Sequence, residues 1–127
     1  MRKKIMVVDD EPDQILTVKV VLEDMDNEYE VIGVTDGKKC FDILQKDHLP
    51  DLILLDIMMP ILDGWQIAAE LKKNSEWRKI PIVFLTAKKD GFSRTFGGMF
   101  GADYIMKPFE IMDLKNKIDN VLKNKII

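Results

Sequence analysis

Leu52-Ile53-Leu54-Leu55-Asp56-Ile57-Met58-Met59-Pro60 is the stretch that decides the fold. Four branched apolar residues in succession, Leu52 to Leu55, suit a strand covered on both faces, as in a parallel sheet flanked by helices. Asp56 follows without a spacer. That places an acid at the carboxyl end of a central strand, the edge of an open α/β sheet where ligands bind. Taken alone, Asp56 is more simply the first residue of a turn, so its meaning depends on what else converges there.

Working outward, Ile5-Met6-Val7-Val8 repeats the layout: a short apolar strand running into Asp9-Asp10-Glu11. Pro12 suits the first turn of a helix, where a missing N–H costs nothing, and Ile15, Val18, Leu22 and Met25 recur at helical spacing up to about Asp26-Asn27. Tyr29 to Val34 reads as a strand, with Thr35-Asp36-Gly37 as turn chemistry behind it and a second helix carrying Cys40, Ile43 and Leu44 inward. Pro60, Asp63 and Gly64 mark a loop before a third helix with Trp65, Ala68, Leu71 and Lys72 on successive turns. Ile82 to Leu85 forms another apolar run and ends at Thr86-Ala87; Tyr104 to Met106 forms the last and ends at Lys107-Pro108-Phe109. A final helix shows Ile111, Leu114, Ile118, Val121 and Leu122 on one stripe, with Lys115, Lys117, Lys123 and Lys125 on a solvated face. Between Lys88 and Gly101, Phe92, Phe96, Met99 and Phe100 keep helical spacing while Gly91, Gly97 and Gly98 interrupt it, each at a cost of about 1 kcal/mol against alanine. A helix over Asp90 to Phe100 is therefore expected to be short, displaced or poorly ordered.

Strand and helix patterns alternate five times, the pattern of βαβ units: a parallel sheet with right-handed crossovers and helices on both faces. The 127 residues fit one domain, 1–127, with no output domain expected after Asn124. Nineteen basic against 22 acidic residues give a net charge of −3, too near neutral to argue for a nucleic-acid partner. The only cysteine, Cys40, cannot form an internal disulfide and reads as a small core residue; a reduced cytoplasm is the expected compartment. The apolar run behind Met-Arg-Lys-Lys is broken at Asp9, too short for a signal peptide or membrane span. His48 lies in a polar loop and reads as solvated surface, and Trp65 and Trp77 as core or rim packing.

Four strands thus end in functional groups: Asp9 and Asp10, Asp56, Thr86, and Lys107. In a parallel sheet these ends share one edge. Carboxylates gathered there repel one another unless a cation shares the site, and an oxygen-only cluster suits Mg²⁺, a hard ion that takes one or two carboxylates together with phosphate oxygens. Lys107 offers a compact charge for phosphate and Thr86 a hydroxyl donor. Such a set is equipped for phosphoryl transfer onto a carboxylate, a known nucleophile.

Val8-Asp9-Asp10-Glu11, Leu54-Leu55-Asp56-Ile57-Met58-Met59-Pro60 with Asp63-Gly64, Leu85-Thr86-Ala87, and Gly101-Ala102-Asp103-Tyr104 through Lys107-Pro108-Phe109 together resemble the receiver domain of two-component response regulators, over essentially the whole chain. The resemblance implies the flavodoxin-like fold with strand order 2-1-3-4-5, for which the chemotaxis member of this family is a standard example. It implies that Asp56 is the phosphoacceptor, charged from a histidine kinase or phosphotransfer protein. Asp10 would bind Mg²⁺ directly, Asp9 through water or outer contacts, and Met58 through its backbone carbonyl. Lys107 would pair with the phosphoryl group, the peptide before Pro108 would be cis, and Thr86 and Tyr104 would form the switch. Met58 and Lys88 stand where family members tune water attack; neither is a carboxylate or amide, so slow self-dephosphorylation is expected.

The resemblance makes this a switching module, not an enzyme in the ordinary sense, with an unknown downstream protein target, no nucleic acid, no membrane, and a monomeric or weakly dimeric state. Two rivals come from other classes. A Mg²⁺-dependent phosphatase of the haloacid dehalogenase type also uses a nucleophilic Asp after a strand, but Met58 replaces its second acid. A flavin-binding protein of the same fold would need a hydroxyl- and glycine-rich phosphate loop where Asp9-Asp10-Glu11-Pro12 stands. A receiver fragment of a larger hybrid signalling protein is a further alternative.

Overall fold

In a computed structural model of the chain, residues 2–26, 28–46, 48–87 and 103–124 are described. The apolar runs become five strands: β1 (Lys3–Val8), β2 (Tyr29–Val34), β3 (Leu52–Asp56), β4 (Ile82–Ala87) and β5 (Asp103–Lys107). All neighbours pair in parallel, in the order β2-β1-β3-β4-β5. The fold is the expected flavodoxin-like one. Four α-helices stand among the described residues, α1 (Pro12–Asp26), α2 (Gly37–Gln45), α3 (Gly64–Lys73) and α4 (Ile111–Asn124), with a 3₁₀ turn at Trp77–Lys79. The expectation for a weakened helix over Asp90 to Phe100 lies outside the described residues.

The continuous apolar runs are explained by two cores, one on each face. Side chains alternate along a strand. Met6, Val8, Ile53, Leu55 and Phe84 face Cys40, Leu44, Ile67, Ala68 and Leu71 from α2 and α3. Ile5, Val7, Leu52, Leu54, Val83 and Leu85 face Val18, Leu22, Leu114 and Ile118 from α1 and α4. Cys40 is a core residue as expected, and burial pushes its thiol up to about 12. The tryptophans pack as expected too: Trp65 tilts against Phe84 with ring centroids 4.7 Å apart, and Trp77 stacks on Phe41 at 6.0 Å.

One helix position departs from the periodic reading. Ile111 is exposed, because the first turn of α4 begins before the helix lies over the sheet, and Phe109 packs against that core instead. On α1, Val18 and Leu22 of the expected stripe are buried, while Leu16 and Val20, off that stripe and one helical turn apart, are exposed although both are apolar. At the far end of the sheet from the strand termini just described, the Tyr29 hydroxyl donates to Asp119 of α4, which also accepts from Lys115 Nζ at 2.7 Å. Burial alone would raise the Asp119 carboxyl, but the Lys115 and Tyr29 hydrogen bonds outweigh it and lower it.

The loop from β3 to α3 is built by backbone bonds. The Ile57 N–H donates to Leu85 (3.2 Å), and the Gly64 N–H donates back to Ile57 (2.8 Å). Asp63 and Gln66 close a reciprocal capping box, each side chain accepting from the other's backbone N–H at 2.9 Å. Between them the Leu62 N–H reaches the Pro60 carbonyl at 2.8 Å over Ile61, whose φ is 70°. That is a γ-turn with a left-handed centre, a strained form even before a β-branched residue occupies it. Ile61 is 97% exposed, so its side chain recovers little by packing. Ile61→Gly should therefore stabilise the fold by about 1 kcal/mol, the relief of left-handed strain exceeding the extra chain entropy of glycine. Urea denaturation of the two proteins reads this directly; a variant less stable than the parent contradicts it.

Candidate functional site

The carboxyl edge of the sheet gathers the acids from β1 and β3 because those strands are neighbours and run in parallel. Asp9 and Asp56 are buried, and Asp9, Asp10 and Asp56 each offer an oxygen such that all three lie within 4.8 Å of one another. Lys107, from the end of β5, reaches across to them: its Nζ lies 3.2 Å from Asp9 Oδ2 and 3.6 Å from Asp56 Oδ1. The other oxygen of Asp9 accepts from the Glu11 N–H at 2.9 Å, so one side chain both starts the path into α1 and holds the lysine.

These distances set the electrostatics. Burial and then the Asp9 charge push Asp56 up to about 6 from an ordinary 3.8, against the opposing pull of Lys107 and of the Met58 backbone N–H that it accepts. For Lys107, burial would lower the ammonium's pKa, but Asp9 and Asp56 outweigh it and raise it. One ammonium is shared between two buried carboxylates and sits nearer Asp9, which is why Asp56 remains high while Lys107 is also raised.

Thr86 is buried at the end of β4, one residue beyond Leu85, the partner of Asp56 in register; its hydroxyl donates to the Ala87 carbonyl at 3.0 Å. Ala87 in turn pairs with Lys107. Ala87, Lys107, Pro108 and Phe109, with Gln14 and Thr17 of α1, line an open hollow of about 450 Å³ beside the lysine. The Lys107–Pro108 peptide is cis, as expected. The Met58 backbone N–H donates to Asp56, which joins the residue to the site, and the residue is 60% exposed. Tyr104 pairs with Phe84 in register and packs against the core beneath α2 and α3. His48 is exposed, as its polar loop implied.

The sequence reading missed one participant. A Cβ on Gly64 would lie 2.5 Å from the Asp56 carbonyl oxygen and 2.8 Å from the Ile57 Cα, so helix α3 is seated directly on the backbone of the strand end that carries Asp56. The available signal was the Asp-Gly pair followed by Gln66, the sequence form of a capped helix start.

Comparison with known proteins gives a consistent answer. The family described as the response regulator receiver domain matches residues 5–119. A probable transcriptional regulator, ycf27, of Cyanophora paradoxa is 41% identical over 96% of this chain and 49% of its own length. The alkaline phosphatase synthesis transcriptional regulatory protein PhoP of Bacillus subtilis is 35% identical over 100% of this chain and 51% of its own. The chain thus spans about half the length of the curated relatives it matches. Among solved structures, a CheY-like response regulator receiver domain protein from Methanospirillum hungatei aligns with TM-score 0.79 and 32% identity, over 98% of this chain and 99% of that one. The chemotaxis protein CheY4 of Vibrio cholerae aligns with TM-score 0.84 and 27% identity, over 95% and 99%. The names of the longer relatives weigh against the expectation of no nucleic-acid partner: a charge of −3 speaks only for these 127 residues. Among the described residues no helix is long and apolar enough to cross a membrane.

Proposed function

The chain belongs to the response regulator receiver domain family, and from that premise we propose that Asp56 is a phosphoacceptor, charged from a phosphohistidine on a histidine kinase or phosphotransfer protein. The observation that carries this reading is the shared ammonium: Lys107 lies within 3.6 Å of both Asp9 and Asp56, beside an open hollow. With a carboxyl near 6, Asp56 is mostly ionised at neutral pH and able to attack phosphorus. As its oxygen bonds to phosphorus, the phosphorus–nitrogen bond breaks and the imidazole leaves. Lys107 then pairs with the transferred phosphoryl oxygens, and Thr86 supplies a hydroxyl donor from the adjacent strand.

Three carboxylates within 4.8 Å against one ammonium form an oxygen-only, electron-rich donor set, which fits a hard divalent ion. Asp9, Asp10, Asp56 and the Met58 carbonyl would hold Mg²⁺, which when bound neutralises the acids and polarises the incoming phosphoryl group. The added charge would then bias a switch through Thr86 and Tyr104. In a reduced cytoplasm the output is a downstream protein target, or nucleic acid where the receiver is joined to a segment like the other half of the longer relatives. The phosphatase alternative is disfavoured by Met58, an exposed thioether where a second acid is needed.

Incubation with Mg²⁺ and acetyl phosphate, read by intact mass, tests the assignment. A phosphoryl adduct on the wild type and none on Asp56→Asn is the expected pair. An adduct indifferent to position 56, or absent from both proteins, overturns it.

A further inference from the structure

Met58 is held in one orientation from both sides. Its N–H faces the Asp56 carboxylate, Ile57 is tied to β4 and to Gly64, and the γ-turn over Ile61 closes the loop behind it. The backbone therefore stays beside Asp56 while the residue, 60% exposed, leaves its side chain open to solvent two positions along from the carboxylate. A thioether is a weak acceptor and so a poor group for orienting a water.

We propose that Met58 is an oxidation site, through which a hydroperoxide shortens the life of the phosphoryl group on Asp56. This rests on the phosphoacceptor reading above. The thioether sulfur attacks the terminal peroxide oxygen, the O–O bond breaks, and a sulfur–oxygen bond forms; sulfur is oxidised by two electrons while the peroxide is reduced to water or an alcohol. The product is a polar sulfoxide in place of an apolar side chain. Its oxygen is a strong acceptor at the edge of the site, able to orient a water for attack on the acyl phosphate, which the thioether does not do.

The other oxidisable groups among the described residues do not give the same outcome. Cys40 is buried with its thiol pushed up to about 12, so it holds almost no thiolate for peroxide to oxidise. Met6 is buried and Met59 is 8% exposed. Met106 and Met112 are 42% and 50% exposed and would oxidise as well, but Met106 lies on β5 and Met112 in the first turn of α4, and neither is bonded to Asp56.

The test uses the protein treated with hydrogen peroxide, desalted, loaded with Mg²⁺ and acetyl phosphate, and followed by intact mass as the adduct decays, with peptide mass locating each added oxygen. Oxidised wild type should lose its phosphoryl group several-fold faster than untreated protein. Met58→Leu should decay at a rate that peroxide does not change, and Met58→Gln, which places an amide oxygen at the same position, should decay fast without oxidant. Three results overturn the proposal: a decay rate unchanged with Met58 shown oxidised, an equal acceleration in Met58→Leu, or oxidation of Met106 and Met112 that leaves Met58 untouched. An untreated wild type that takes no adduct overturns the phosphoacceptor reading itself, and this proposal with it.

Discussion

Asp56→Asn, in the absence of divalent ions, is expected to be more stable than the wild type by about 2 kcal/mol at neutral pH. The Asp56 carboxyl is pushed from 3.8 up to about 6, so the folded protein holds its proton more tightly than the unfolded chain. A carboxyl raised in this way favours folding below its unfolded pKa, and that advantage is lost as pH climbs through the folded value. Between about pH 4 and pH 6 the native state carries the extra proton, and above that range it holds a buried charge that shares one ammonium with Asp9. Two units correspond to about 3 kcal/mol; the amide's own need for partners in a buried site takes back part of it. Denaturant titrations in chelator across this range should show the variant the less stable by about 1 kcal/mol at acid pH, the two proteins crossing as pH rises, and the variant ahead at neutral pH. A wild type more stable than the variant at neutral pH, or a gap that ignores pH, would sink the electrostatic account. Saturating Mg²⁺ should narrow the gap or reverse it, because only the wild type offers the ion a third carboxylate.

Gly64→Ala should destabilise the protein by about 3 kcal/mol, with a Tm lower by on the order of 10 °C. The methyl group would meet backbone rather than a yielding side chain: the Asp56 carbonyl at 2.5 Å and the Ile57 Cα at 2.8 Å. Either α3 lifts away, breaking the Gly64-to-Ile57 bond and loosening the buried contacts of Ile67, Ala68 and Leu71, or the end of β3 shifts. Both routes reach Asp56, so a lower yield of phosphoryl adduct should accompany the lower Tm. Differential scanning calorimetry settles the first part; a Tm within a degree or two of the parent would mean that the loop accommodates a Cβ.

The strand ends were legible because each announces itself twice, by an apolar run and by the functional group that stops it. Leu52 to Asp56, Ile5 to Asp9 and Ile82 to Thr86 all carry that double signal, and parallel pairing then forces their ends together. Contacts without a periodic signature were not legible. The seat of Gly64 on Asp56 joins residues eight positions apart through backbone alone, so the sequence showed only a turn. The left-handed centre at Ile61 is the reverse case: local propensity places glycine or asparagine there, and the loop closes over a β-branched residue instead. Ile111 was misjudged because helical spacing says which residues share a face but not where along the helix that face meets the sheet. For Lys107 the sequence suggests a charge suited to phosphate, whereas its contact with Asp9, 98 positions away, is a matter of tertiary reach.

That contact changes how the acidic hollow fills. Both oxygens of Asp9 are already engaged, one by the Glu11 N–H and one by Lys107. A divalent ion drawn to these carboxylates would compete with an ammonium already in place rather than add to an open bowl of negative charge. Occupancy would then be governed by a difference between two attractions, as in an ion exchanger, and would be weaker than a count of carboxylates implies. The same competition would loosen Lys107 from Asp9 as an ion entered, so that, under the proposed function, loading the site and freeing an ammonium for the phosphate would be a single event.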